Sequence, residues 1–308
     1  MITVAGFNTA IDHLFTLDAL VPGSVQRAAQ ADPYPGGKGL HVAQTVAALG
    51  ERVQLVGLVD AAHRNLIARR MAERGVLFHA IEVAQPLRTC IAVRERDGRM
   101  TEILGPGPEL GPVEREALLR AWWRCAEESA LLVLSGSLPR GFEADAYASM
   151  VRRAAGQPCL VDASGEALRH AAGCGAHLLK PNRDEATELA GQPVRTPQDA
   201  AAVARTLHAK GIALPVVTLG AEGAVGFDGH DAWHASLVLE RSVNAVGSGD
   251  CLLAGLAVAL KRGEPLAQAL RLGVACGAAN AMDEETGYVR RERVLALQAQ
   301  VQIRRMDG

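Results

Sequence analysis

Short apolar runs recur along the chain at Ile2–Phe7, Val53–Val59, Leu131–Ser135, Cys159–Asp162, His177–Leu179 and Leu214–Leu219. Continuous runs of this length are expected of strands buried on both faces. Between them, Ala61–Arg74, Pro112–Glu128, Glu143–Ala155 and Pro197–Lys210 place apolar residues at helical spacing. Strands alternating with helices predict right-handed βαβ crossovers and a mostly parallel sheet covered on both faces. Ligands of such sheets bind beyond the carboxyl ends of the strands, where most of the polar, glycine-bearing loops of this chain fall.

Two stretches break the alternation. Val21–Pro35 and Thr89–Leu104 are polar and turn-rich. Within the second, Thr89–Arg94 and Met100–Leu104 flank Arg96-Asp97-Gly98, and Asp-Gly between two such runs predicts a hairpin.

The richest local chemistry is Val243–Asp250, VNAVGSGD, running into the apolar Cys251–Leu260. Gly247, Ser248 and Gly249 let backbone N–H groups approach a ligand closely, and the run after them predicts a helix whose N-terminus favours an anion. Asp250 stands at the same place. A carboxylate aimed at a bound phosphate suits a base that accepts a proton from an attacking hydroxyl. A capped helix with a first-turn dipole partner is the competing reading.

A second glycine-rich stretch, Gly36–His41 (GGKGLH), precedes the helical pattern Val42–Leu49, and SGSLPRG, VDASGEAL, LLKPNRDE and VVTLGAEGA lie between the two. Together, and in this order, these blocks resemble the PfkB (ribokinase-like) family of sugar and nucleoside kinases from Ile2 to about Tyr288. The resemblance implies an α/β, ribokinase-like, Rossmann-type sandwich over residues 1–308. A small β-sheet lid would be built from segments at about 13–35 and 86–106. It also implies ATP and Mg²⁺ as cofactors and admits a monovalent cation. By resemblance, Asp250 is the catalytic base, with Gly247, Ser248 and Gly249 and the amides from Ala245 onward holding the transferred phosphoryl group. Asp12, in NTAID where relatives have NPAID, grips sugar hydroxyls. Gly36, Gly37 and Lys38 lie against the sugar. His41 stands where relatives carry a sugar-contacting Asn, which leaves the identity of the sugar open, since an imidazole offers a different fork from an amide.

RTCIAV from Arg88 and TEILGPGP from Thr101 resemble the branch that includes 1-phosphofructokinase and tagatose-6-phosphate kinase. There Arg27, Arg88 and Ser137 would bind a phosphate already on the substrate, as guanidinium does best. Lys180, Asn182, Thr218, Gly220, Gly223 and Asn280 would hold the nucleotide, Asn280 beside the adenine. Asn182 and Glu185 would organise Mg²⁺, mainly through water; the same NxxE spacing also fits a capping box. The leading reading is a kinase converting fructose 1-phosphate to fructose 1,6-bisphosphate. Tagatose 6-phosphate or fructose 6-phosphate as acceptor, a free sugar or nucleoside as acceptor, and a non-catalytic sugar-phosphate-binding regulator remain the alternatives.

Composition narrows the classes. The 308 residues are 49% hydrophobic and 21% charged with net charge −2, so no bulk charge invites nucleic acid or an anionic membrane. Aromatics are 4%, so the core is expected to be Ala, Val and Leu. The six cysteines lack metal-ligand spacing and are read as reduced, mostly buried thiols. MITVAGFN has no basic segment before an apolar one, and no run is long enough to span a bilayer. The expectation is a cytoplasmic protein, binding a phosphosugar and ATP, and pairing as a homodimer through its lid, where exposed strand edges need cover.

Overall fold

A computed structural model describes residues 1–28, 33–154 and 156–306. The first half contains β1 (Ile2–Gly6), β2 (Ala10–Leu17), β3 (Pro33–Gly36), α1 (Lys38–Ala48), β4 (Val53–Val59), α2 (Arg64–Glu73), β5 (Leu77–Glu82), β6 (Arg88–Glu95), β7 (Met100–Leu104) and α3 (Pro112–Glu127). It continues with β8 (Leu131–Ser135), α4 (Ala146–Arg153), β9 (Cys159–Asp162), α5 (Gly165–Ala171), β10 (Leu178–Leu179) and α6 (Arg183–Ala190). The last part holds α7 (Pro197–Ala209), β11 (Leu214–Thr218), β12 (Ala224–Phe227), β13 (Ala232–Ser236), α8 (Ser248–Lys261), α9 (Leu266–Ala281), α10 (Arg291–Gln298) and β14 (Gln302–Met306).

The larger sheet runs β14-β13-β12-β11-β10-β9-β8-β1-β4-β5. It is parallel from β5 through β11. Strands β12 to β14 extend it antiparallel. From β1 the chain first builds toward β4 and β5, then returns to the other side with β8. A crevice opens at such a reversal, beyond the strand ends. The chain enters it from β1 at Asn8, β8 at Ser137, β9 at Asp162, β10 at Lys180 and β11 at Thr218.

All six predicted strands form. Their interiors are buried because helices cover both faces, and so their sequences show no alternation. The second predicted exception is a four-stranded sheet, β3-β2-β6-β7. Its β6–β7 hairpin turns at Asp97-Gly98, with Gly98 at φ 90°. Strand β2 begins at Ala10, three positions before the expected segment, so Asp12 lies inside the smaller sheet. Its register partners are Tyr34 and Cys90.

Helix α1 starts four residues before the apolar pattern does. Gly37, at φ 101°, turns the chain off β3, and Gly39 lies in the first turn. A Cβ on Gly39 would come within 2.4 Å of Gly6 Cα, so only glycine lets α1 sit this close to β1. Gly39→Ala is expected to destabilise the protein by about 1–3 kcal/mol or more through backbone overpacking, read by chemical denaturation. Gly255 and Gly273 serve the α8–α9 crossing likewise, a Cβ on Gly255 meeting Gly273 Cα at 2.8 Å.

The core is mainly Ala, Val and Leu, as composition suggests, but it also contains an aromatic cluster. Phe7 packs edge-on against Trp122 and stacked on Phe142, each at 5.9 Å between centroids. All six cysteines are free and buried. No helix among the described residues is long and apolar enough to cross a membrane.

Candidate active site

Two cavities meet over the strand ends. One, of about 310 Å³, is lined by Asp12, Lys38, His41, Arg88 and Ser137 on one side and by Lys180, Gly247 and Asp250 on the other. The other, of about 670 Å³, is lined by Thr218, Gly220, Gly223, Gly277, Ala278 and Ala281. Asn182, Thr218 and Gly249 line both. The first cavity is rich in charge. The second is walled by glycines and small apolar residues, as the face of a nucleobase requires.

The N-terminus of α8 forms the shared wall. Gly247 caps the helix in the left-handed region at φ 81°. Of the amides expected to bind the phosphoryl group, not all are available: Val246 N–H donates to Asn244 Oδ1 at 3.0 Å and Ser248 N–H to Ala245 O at 3.1 Å. Among the described residues, the amides of Gly247 and Gly249 have no protein acceptor. A Cβ on Gly249 would find only Lys180 Nζ, 3.8 Å away, so the bare Cα opens a cradle facing that ammonium. Asp250 follows in the first turn, 6% exposed and lining the first cavity.

Asp162, at the end of β9, is the group the sequence reading left without a role. It is 1% exposed and holds two lysines, Lys38 Nζ at 3.3 Å and Lys180 Nζ at 3.1 Å. Burial opposes its charge, but the two ammonium groups override this and keep its carboxyl below the usual carboxylate range. Asp162 in turn holds the Lys38 ammonium charged, well above its ordinary value. Lys38 is deeply set yet opens to the cavity, with 39% of its side chain accessible. The two lysines therefore stand side by side, neutralised only in part, at the junction of the cavities.

Asn8 is a second residue the sequence reading missed. Its carbonyl accepts from Arg88 Nε at 3.1 Å and its side-chain amide donates to Ser137 Oγ at 2.9 Å, so it aims both groups into the first cavity. Asp12 is brought there by β2. A Cβ on Gly36 would fall 1.9 Å from Asp12 Oδ2, so Gly36 makes room for that carboxylate. Desolvation raises the pKa of Asp12, against the opposing charges of His41 and Arg88.

His41 is buried and its Nδ1 lies 2.9 Å from Asp250 Oδ2. Glu102 of β7, inside the TEILGPGP block but given no role there, and Tyr34 of β3 also line this cavity.

Asn182 caps α6 in a full capping box: Oδ1 accepts from Glu185 N–H at 2.9 Å, and Glu185 Oε2 accepts from Asn182 N–H at 2.8 Å. The capping reading and the cavity reading hold together, because both residues line the first cavity. Burial raises the pKa of Glu185.

Two expectations are corrected. Asn280 does not face the nucleotide cavity. It is fully buried; its amide N–H groups reach Val246 O and Ser248 Oγ, and its Oδ1 accepts from Gly287 N–H. It braces the loop that carries Gly247. Arg27 is exposed and lines neither cavity, so within one chain only Arg88 of the two arginines is in the site. The segment after it, residues 29–32, lies outside the described residues. Gly223 lines the second cavity but also lets β13 pass: a Cβ there would meet Ala235 O at 2.0 Å. No cluster of His, Cys, Asp and Glu among the described residues could enclose a metal by itself.

Comparison with known proteins agrees with this geometry. Residues 5–292 match the family described as pfkB family carbohydrate kinase. Phosphofructokinase-2 from Escherichia coli, in complex with substrates and products, superposes with a TM-score of 0.89 at 25% identity, over 97% of this chain and 98% of that one. That protein has also been solved with fructose-6-phosphate, with potassium and in a tetrameric inhibited form, at 25–26% identity over the same shares, with TM-scores of 0.86, 0.88 and 0.86. A possible 1-phosphofructokinase from Thermotoga maritima shares the fold at 19% identity, 99% of each chain and TM-score 0.86. Ribokinase from the same organism does so at 22% identity, 97% and 99% coverage and TM-score 0.78. The chain belongs to the pfkB family of carbohydrate kinases, as a phosphofructokinase-like member that transfers phosphate to a sugar hydroxyl.

Proposed function

We propose that this protein phosphorylates a ketohexose that already carries a phosphate, giving a bisphosphate. The observation that carries this reading is the Arg88 guanidinium, held by Asn8 in the cavity that Asp250 lines. A free sugar offers nothing for a guanidinium there; a phosphate monoester does. Fructose 1-phosphate remains the first choice, on the blocks around Arg88 and Thr101. Fructose 6-phosphate is the second reading, favoured by the E. coli relative solved with it. Both would yield fructose 1,6-bisphosphate.

In this reading the sugar phosphate sits against Arg88 and Ser137, and its hydroxyls against Asp12. Asp250 accepts the proton of the attacking hydroxyl. The amides of Gly247 and Gly249, with Lys180 and Lys38, hold charge on the transferred group. ATP supplies that group from the second cavity, and Mg²⁺, when bound, offsets the triphosphate charge. Asn182 and Glu185 fit a Mg²⁺ held through its waters: the cap takes one lone pair of Asn182 Oδ1 and Oε2 of Glu185, and both residues still border the cavity. Family membership implies ATP and Mg²⁺ use, and the relative solved with potassium makes a monovalent cation a reasonable addition here.

The smaller sheet supports self-association. Edge strand β7 exposes Ile103 and Leu104 at 59% and 62%, an apolar edge that pairing with a second copy would cover. The tetrameric relative is consistent with such assembly.

Arg88→Ala tests the substrate class. KM for the phosphosugar is expected to rise about 10–100-fold, the loss of ~1.5–3 kcal/mol of charge-assisted bonding. Turnover of a free sugar is expected to be unchanged. Equal effects on both substrates in steady-state assays would refute the phosphosugar reading.

A further inference from the structure

The imidazole of His41 joins two carboxylates that the reaction uses separately. Its Nδ1 lies 2.9 Å from Asp250 Oδ2, and its Nε2 lies 3.9 Å from Asp12 Oδ2. A carboxylate is an acceptor only, so Nδ1 carries the hydrogen in that bond. Nε2 is then the variable atom. It is buried and has no hydrogen-bond partner, and neither has Asp12 Oδ1. Both residues line the first cavity. The ring fits only because position 287 has no side chain: a Cβ on Gly287 would fall 2.1 Å from His41 Cγ.

We propose that His41 is a positioning residue that fixes the orientation of the Asp250 base, and that its Nε2 must be unprotonated for the acceptor hydroxyl to be seated beside Asp12. This rests on the kinase reading above. With the neutral ring, Nδ1–H holds Asp250 Oδ2 and leaves Oδ1 for the hydroxyl, while Nε2 accepts a bond from the substrate. With the charged ring, Nε2–H turns to Asp12 Oδ2. Both carboxylates are then engaged, and the positive charge opposes transfer of a proton to Asp250.

The groups that face the ring decide where it titrates. They are Asp250 on α8, Asp12 on β2 and Glu102 on β7. Lys38 lies one turn back on α1, Tyr34 on β3 is turned toward Thr286 Oγ1, and the segment at Gly287 presents backbone. Burial disfavours the charged ring, but the hydrogen bond to Asp250 and the carboxylate charges outweigh it and raise its pKa. The loss of activity on acidification is therefore expected above the ordinary imidazole range of about 6.5.

The test uses kcat/KM against pH, which reports the free enzyme, together with ring titration of His41 by ¹⁵N NMR in the ligand-free protein. The wild type is expected to lose kcat/KM on the acid side. His41→Asn, whose amide still donates to Asp250 but does not titrate, is expected to retain measurable turnover and lose that acid limb. Titration of the substrate phosphate is common to both enzymes and cancels in their ratio. Asp250→Asn is expected to move the His41 titration about 1–3 pH units lower. An acid limb unchanged in His41→Asn, or a His41 titration unmoved in Asp250→Asn, would overturn the proposal. A shifted ring titration in a protein that turns over no phosphosugar would sink the substrate reading and leave the His41–Asp250 pairing standing.

Discussion

Asp250→Asn is expected to lower kcat by about 10²–10⁴-fold, the contribution of a positioned base, while ATP affinity stays near normal. The substitution preserves shape, and an amide oxygen can still accept from His41 Nδ1, so the cradle at Gly247 and Gly249 keeps its form. What it removes is a group able to take a proton at the wall shared by the two cavities. Steady-state kinetics and ATP titration of the same preparation separate the two effects. Turnover within a few-fold of wild type would remove Asp250 as the base.

Asp162→Ala has the largest expected effect on stability. It leaves Lys38 and Lys180 near each other without the carboxylate that lies between them, at 3.3 and 3.1 Å. Removing one partner of a buried ion pair typically destabilises by about 3–5 kcal/mol; here that cost falls on Lys180, 4% accessible and left charged without a partner, while Lys38, 39% accessible, keeps contact with solvent. Chemical denaturation should show that loss, and the surviving folded protein should bind ATP poorly because Lys180 is no longer held against α8. The sign with pH follows from the lowered pKa of Asp162. Its stabilisation is complete above the ordinary carboxylate value of about 3.9 and is lost as pH falls below that value. Wild type and variant should therefore converge in stability on strong acidification. A variant as stable as wild type at neutral pH would show that the lysines find other partners.

Much of the fold was legible because buried parallel strands announce themselves. β1, β4, β8 and β11 are apolar runs with helices on both sides, and the pattern contains no competing period. The extension β12–β14 was not legible, since Ala224–Phe227 is a short buried run interrupted by Gly226, and Ala232–Ser236 and Gln302–Met306 mix His, Trp and Arg and are partly exposed at the sheet's end. β5 was missed for the same reason: Leu77–Glu82 is an edge strand that is open to solvent. The start of α1 was hidden by glycines that disfavour a helix locally but are required for its packing on β1.

In the site, local motifs were readable and long-range partners were not. GxGD and NxxE each reside on one helix start, so spacing alone brings their residues together. Lys38 and Asp162 are 124 residues apart, and His41 and Asp250 are 209 apart. Nothing in either neighbourhood signals the other. Asn280 misled because a polar residue on an apolar helix looks like a ligand contact, whereas here it satisfies backbone groups of the loop next to it.

The proposal that the cavity facing Asp250 recognises a phosphosugar is tested most directly by ADP release with Mg²⁺ and ATP over a panel of acceptors: fructose 1-phosphate, fructose 6-phosphate, tagatose 6-phosphate, fructose, ribose and a nucleoside. One of the phosphorylated ketohexoses is predicted to exceed every unphosphorylated acceptor in kcat/KM by about 10–100-fold or more, since a free sugar leaves the half-buried Arg88 guanidinium without its charge-assisted bonds. Turnover of a free sugar or nucleoside at equal or higher efficiency, or phosphosugar binding with no ADP release, would contradict it.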